Sequence, residues 1–192
     1  MRRGAAPRRP MSDRPPQLSR LTFVGDATQY SEQLRVLIPK CTLLENFSTP
    51  EVRLLAHFMD VYRAAPNVEI IRENDGGDFM LMILEGRVEV RKRDRWNEMR
   101  LIAEVGPGRT LGEMSMIDGE PRFATCVAIE PVLIAVMHRE SLARIIVEQP
   151  MLGAKILMEL VLMLSQRLRA TSARLVKALD AQARRESGLY ED

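Results

Sequence analysis

Residues 106–125 read Gly106-Pro-Gly-Arg-Thr-Leu-Gly-Glu-Met-Ser-Met-Ile-Asp-Gly-Glu-Pro-Arg-Phe-Ala-Thr125, the most informative stretch of the chain. Gly112 lets backbone approach a ligand closely, and Glu113 sets a carboxylate beside it. A short helical turn fits Glu113 to Ile117. Asp118-Gly119 then turns the chain, and Pro121 stiffens the approach to Arg122. Backbone N–H groups at a helix terminus together with one arginine make an anion pocket. A neighbouring carboxylate suits hydroxyl groups rather than phosphate. The pattern asks for a ligand with one phosphate and a nearby sugar hydroxyl.

Working outward, Val68 to Met137 is a series of short extended runs broken by Gly, Pro, Asp and Asn. Strands fit Val68–Ile71, Phe79–Ile83, Arg87–Arg91, Met99–Ala103, Ala124–Ile129 and Val132–Met137, with a hairpin tip over Lys92–Glu98. Many short strands with turn signals between them predict an antiparallel sandwich or barrel. Helical patterns flank this part. Leu34, Leu37, Ile38, Leu43, Leu44 and Phe47 form a broken stripe over 29–47, interrupted at Pro39. Ser48-Thr49-Pro50-Glu51 starts the next helix, with Thr49 as N-cap and Pro50 in the first helical position. Its stripe is Val52, Leu55, Ala56, Met59 and Val61-Tyr62, ending before Pro66. Arg139–Val147 is a short helix. A long one runs from about Met151 to Arg185, with apolar positions spaced by three or four from Leu152 to Leu179.

The 106–125 stretch resembles the phosphate-binding cassette of the cyclic nucleotide-binding domain family through Gly112-Glu113, Pro121-Arg122 and Ala124-Thr125. Ile71-Arg-Glu-Asn-Asp-Gly-Gly-Asp78, followed eight residues later by Gly86, is similar to the strand–turn–strand that opens the family's roll. The resemblance spans roughly residues 40–180. It implies an α+β, mainly β fold: an antiparallel β-roll of jelly-roll type (a double-stranded β-helix) with N-terminal helices and a long C-terminal helix. It implies that Glu113 accepts the ribose 2′-hydroxyl and Arg122 pairs with the cyclic phosphate, with Gly112, Met114, Phe123 and Ala124 completing the cassette's ligand set. Cyclic AMP is the expected ligand, ahead of cyclic GMP. The bland alternative has Glu113 and Arg122 pairing with each other in a fold that no longer binds. Two positions depart from the pattern. Asn74 stands where the family usually has Gly, and Asn tolerates left-handed backbone. Phe123 stands where the family often has Ser, Thr or Ala, which removes about one hydrogen bond, ~1 kcal/mol.

Gln166-Arg-Leu-Arg-Ala-Thr-Ser172 resembles the dimer helix of the bacterial catabolite activator (Crp/Fnr-type) proteins. Arg167 and Thr171 lie four apart on one face. By the resemblance, Thr171 reads the adenine of its own subunit and Ser172 reaches the partner's ligand; the alternative for Thr-Ser is a solvated face. Ile156–Leu164 is apolar almost all the way round, so one face can cover the roll while the other needs a partner. This predicts a homodimer through residues 151–180.

The domain reading is a disordered basic Pro/Arg-rich tail over 1–28, a cyclic nucleotide-binding roll over 29–150, a lid and dimerisation helix over 151–185, and a polar tail over 186–192. Residues 1–20 hold six arginines against Asp13, +5 in a chain whose formal charge is +2, which leaves the rest near −3. That balance does not by itself imply nucleic acid. Cys41 and Cys126 read as reduced, structural thiols in a cytoplasmic protein. His57 and His138 have no obvious partners, and no Cys/His cluster suggests a metal site. The longest apolar run falls short of the roughly 20 residues a membrane span needs. No nucleophile–base set indicates an enzyme. The activators' winged helix would follow the long helix, and no helix-turn-helix pattern fits there, which argues against direct DNA binding. The expectation is a stand-alone cyclic nucleotide sensor acting through contacts with an unknown downstream protein. The alternatives are a Crp/Fnr-like regulator without its DNA-binding domain, or a non-binding scaffold.

Overall fold

The computed structural model describes residues 16–187. Its strands are β1 (Thr22–Asp26), β2 (Asp60–Ala64), β3 (Glu69–Ile71), β4 (Phe79–Glu85), β5 (Val88–Arg93), β6 (Met99–Val105), β7 (Thr110–Leu111), β8 (Thr125–Ala128) and β9 (Val132–His138). The helices are α1 (Ser31–Leu37), α2 (Thr49–Ala56), α3 (Glu113–Asp118), α4 (Arg139–Glu148) and α5 (Pro150–Ser187). The strands form two antiparallel sheets, in the orders β1-β2-β9-β4-β7 and β3-β8-β5-β6. This is the expected β-roll with helices before it and a long helix after it.

The runs of β4 and β9 are apolar without alternation because both faces of the five-stranded sheet are covered. Phe79, Leu81, Ile83, Val132, Ile134 and Val136 enter a core shared with Ile70, Val88, Cys126 and Ala128 of the other sheet. The residues between them, Met80, Met82, Leu84, Leu133, Ala135 and Met137, enter a second core against the helices. Met59, Met80, Met82, Met116, Met137 and Met163 all belong to that helix-facing core, where an irregular helix-on-sheet surface suits unbranched side chains.

Three expectations are corrected. The stripe read as helix through Val61-Tyr62 ends at Ala56, and Asp60–Ala64 is a strand held between β1 and β9. Val61 and Tyr62 are both buried because they face opposite cores, as the alternation of a strand places adjacent residues. The N-cap of α2 is Ser48, not Thr49; Pro50 sits in the first turn. The tail expected over 1–28 is folded from residue 16. Pro16–Arg20 is a 3₁₀ turn, Leu18 and Leu21 are buried, and β1 pairs with β2. Residues 1–15 of that tail, and 188–192 of the polar end, lie outside the described residues.

The cap of α2 carries a pH-dependent link to α5. The Ser48 amide and hydroxyl both donate to the Glu51 carboxylate at 2.7 Å, and Lys155 Nζ donates to both its oxygens at 2.9 Å. Lys155 first, and then Ser48, hold the Glu51 carboxyl down at about 2. A carboxylate with a depressed folded-state pKa stabilises the fold above its ordinary value and loses that contribution as pH falls toward the folded one. Glu51→Gln is therefore expected to lower the melting temperature at pH 7 by a few degrees, since a cap is worth about 1 kcal/mol and this pair is partly exposed. The gap should shrink by pH 3. Equal gaps at the two pH values in a thermal melt would contradict this.

Candidate functional site

The pocket is built by β7, α3 and the loop running from α3 into β8. Gly112 joins β7 to α3 with φ 81°, a left-handed conformation that favours glycine. A Cβ there would lie 2.6 Å from Arg122 Nη1. α3 ends at Gly119, also left-handed, and Arg139 at the start of α4 donates to the carbonyls of Ser115 and Met116 at 2.6 Å. Arg139 thus ties the far end of α3 to the roll.

Arg122 is 1% exposed and Glu113 is 3% exposed. Arg122 Nη1 donates to the Gly112 carbonyl at 2.9 Å, and its guanidinium carbon lies 4.3 Å from the centre of the Phe79 ring. Its Nε and Nη2 are buried with no hydrogen-bond partner. Burial pushes the guanidinium pKa down, while the Asp78 and Glu113 carboxylates oppose that. Burial likewise pushes the Cys126 thiol up to about 12, so it lines the pocket as a neutral group. The ion pair Glu113 makes is with Arg167 of α5, 3.1 Å away, rather than with Arg122. Arg167 also donates to the Thr110 carbonyl and hydroxyl at 3.0 and 3.1 Å. The bland alternative of a Glu113–Arg122 pair is therefore not what the site contains.

These residues surround a cavity of about 140 Å³. Of the residues expected from the sequence, Gly112, Glu113, Met114, Arg122, Phe123, Ala124 and Arg167 line it. Thr171 and Ser172 do not: both are exposed on α5, and Thr171 stands one turn beyond Arg167, ~6 Å along the axis. Phe123 is 55% exposed, with Lys92 Nζ 4.2 Å from its ring centre. Lys92 also donates to the Phe123 carbonyl at 2.8 Å and to Glu73 at 2.7 Å, which holds the Glu73 carboxyl below its usual range. Asn74 has φ 67°, so the Gly-to-Asn departure keeps the turn. Sequence reasoning missed Arg139, Lys92 and Gly77, where a Cβ would overlap Arg122 Nε. Among the described residues no group of His, Cys, Asp and Glu could hold a metal, and no helix is long and apolar enough to cross a membrane.

A β-roll flanked by a long helix, with one arginine and one carboxylate buried around a small cavity, is the build of a receptor for a small anionic ligand. A family model described as the cyclic nucleotide-binding domain matches residues 63–149. A cyclic nucleotide-binding domain from Methylobacillus flagellatus KT is 37% identical, with a TM-score of 0.77, over 85% of this chain and 92% of that one. The chain belongs to the cyclic nucleotide-binding domain family. It is also similar to the Thermus thermophilus catabolite activator protein, at 25% identity and a TM-score of 0.66, over 71% of this chain and 62% of that one. A CRP-like cAMP-activated global transcriptional regulator of Mycobacterium tuberculosis is 29% identical over 54% of this chain and 44% of its own. A cAMP-dependent protein kinase regulatory subunit of Dictyostelium discoideum is 26% identical over 77% of this chain and 45% of its own. The chain thus spans less than half the length of these curated relatives.

Proposed function

We propose that this protein is a cytoplasmic cyclic AMP sensor. In this reading Arg122 holds the cyclic phosphate, Glu113 takes the ribose 2′-hydroxyl, and α5 carries occupancy to a second copy and to a downstream protein. The observation that carries the reading is Arg122 itself: a buried guanidinium with two nitrogens unpaired beside a cavity that also holds a buried carboxylate. An unpaired buried cation is costly unless a ligand supplies the missing acceptors. Titration calorimetry with cyclic AMP, cyclic GMP and cyclic di-GMP tests it. One cyclic AMP per chain is expected, and the absence of binding would sink the proposal.

Thr171 and Ser172 serve the base in this reading, as the ligand extends from the cavity along α5. An adenine amino group can donate to their hydroxyls, whereas guanine presents a carbonyl at that edge. Hydroxyls also donate, so this discriminates weakly. Phe123 adds to it, because it offers no hydroxyl to guanine and would leave a polar edge unpaired at ~1–3 kcal/mol. About tenfold preference for cyclic AMP follows, with Thr171→Ala narrowing the gap. Competition binding that ranks cyclic GMP equal or better would show that these residues do not read the base.

The length of the curated relatives favours a second reading: this chain is the sensor portion of a transcription regulator. Salt-dependent DNA binding by the intact protein would support it over action through protein contacts.

A further inference from the structure

We infer that Gln17, in the segment before the roll, is a positioning residue for Arg122; this rests on the reading of Arg122 as the phosphate anchor. The loop from Asn74 to Gly77 holds Arg122 through backbone and through shape. The Arg122 amide donates to the Asp75 carbonyl at 2.8 Å, and the Asn74 amide donates to the Arg122 carbonyl at 2.9 Å. Gly77 lies so close to the guanidinium that a Cβ would overlap Nε. That loop is held in turn by Gln17, whose Nε2 donates to Asp75 Oδ2 at 3.1 Å and to the Gly76 carbonyl at 3.2 Å. Gln17 is buried, and its neighbours fix it there. Leu18 and Leu21 pack into the core between the sheets, and Arg20 pairs with Glu69 of β3 at 3.3 Å. A loop that touches the guanidinium through a bare glycine face has no side chain of its own to keep its distance. Two hydrogen bonds from outside the roll supply that constraint, and a shift on the order of 1 Å is enough to misplace a binding group.

The test uses the full chain and calorimetry with cyclic AMP. Gln17→Met keeps the side chain's length and removes both donors, while Gln17→Lys reaches one bond further and restores N–H donors to the same oxygens, one of them the Asp75 carboxylate. Gln17→Met is expected to weaken cyclic AMP binding about tenfold, and Gln17→Lys to stay within about twofold of wild type. In an Arg122→Lys background, where the geometry of the fork is already lost, Gln17→Met should cost less than about twofold. A purely structural role would instead give the same loss in both backgrounds. Wild-type affinity in Gln17→Met, equal losses in the two backgrounds, or failure of Gln17→Lys to rescue would each overturn the inference. Failure of the wild-type protein to bind cyclic AMP would overturn the proposed function instead.

Discussion

Arg122→Ala is expected to weaken cyclic AMP binding at least about a hundredfold, because removing one member of a buried charge pair costs roughly 3–5 kcal/mol. The guanidinium has its Nη1 bonded to the Gly112 carbonyl, and its Nε and Nη2 are buried without a hydrogen-bond partner. A companion variant separates lost binding from lost folding. Arg122→Met fills much of the same volume without burying an unpaired charge, and such replacements are often neutral or stabilising. Its melting temperature without ligand should equal or exceed that of the wild type, while its affinity falls as far as that of Arg122→Ala. Calorimetry and thermal melts on the same preparations check both halves. An unchanged dissociation constant in either variant would remove Arg122 from the site.

The second large effect concerns α5. Ile156, Leu160 and Met163 turn inward to the helix-facing core, so Leu160 is a fold residue and its replacement would not report on assembly. The outward side carries Met158, Val161, Leu168, Leu175 and Leu179, all more than half exposed. With Ser165 and Ser172 these positions step by three and four from 158 to 179, the spacing of a coiled-coil seam. We expect a parallel homodimer through this seam, which brings Ser172 to the two-fold axis. Each apolar side chain buried there contributes roughly 1.5–3 kcal/mol, so introducing charge at two of them per chain should abolish association. Light scattering should give twice the monomer mass for the wild type and the monomer mass for Val161→Lys combined with Leu168→Lys. A wild type that stays monomeric at high concentration would contradict the seam.

The cassette was legible in the sequence because its parts are local. Gly112, Glu113 and Arg122 lie within eleven residues, and α3 follows directly from the glycine that starts it. β4, β9 and α5 were legible because long apolar runs and long stripes leave few alternatives. β2 was not, since over five residues following α2 the same apolar positions satisfy a helical and an extended period. β1 was hidden because it follows directly on a Pro- and Arg-rich segment whose composition speaks for disorder, and because Gly25 interrupts its pattern. The supporting contacts were out of reach for a different reason. Gln17 meets Asp75 across 58 positions, Lys92 meets Phe123 across 31, and Arg139 meets Ser115 across 24. No periodicity or short motif encodes such pairs; they exist only once the strands have set the loops side by side. Thr171 and Ser172 lie on α5 past the cavity, so the part proposed for them needs a ligand that extends along the helix and a second chain.

The strand β6 has a consequence for how the protein behaves in a crowded solution. It ends the order of the four-stranded sheet, so its outer row of N–H and C=O groups is open to pairing, and Leu101 and Ile102 expose apolar surface on both its faces. An open edge of this kind is a template for amyloid-like stacking. The chain counters it with charge and twist. Arg100 and Glu104 stand on the edge, tied to Asp94 and Arg87, and the register shift between Val90 and Arg91 coils the hairpin away from flatness. Charge on the edge and a shifted register make β6 a poor template for a further strand.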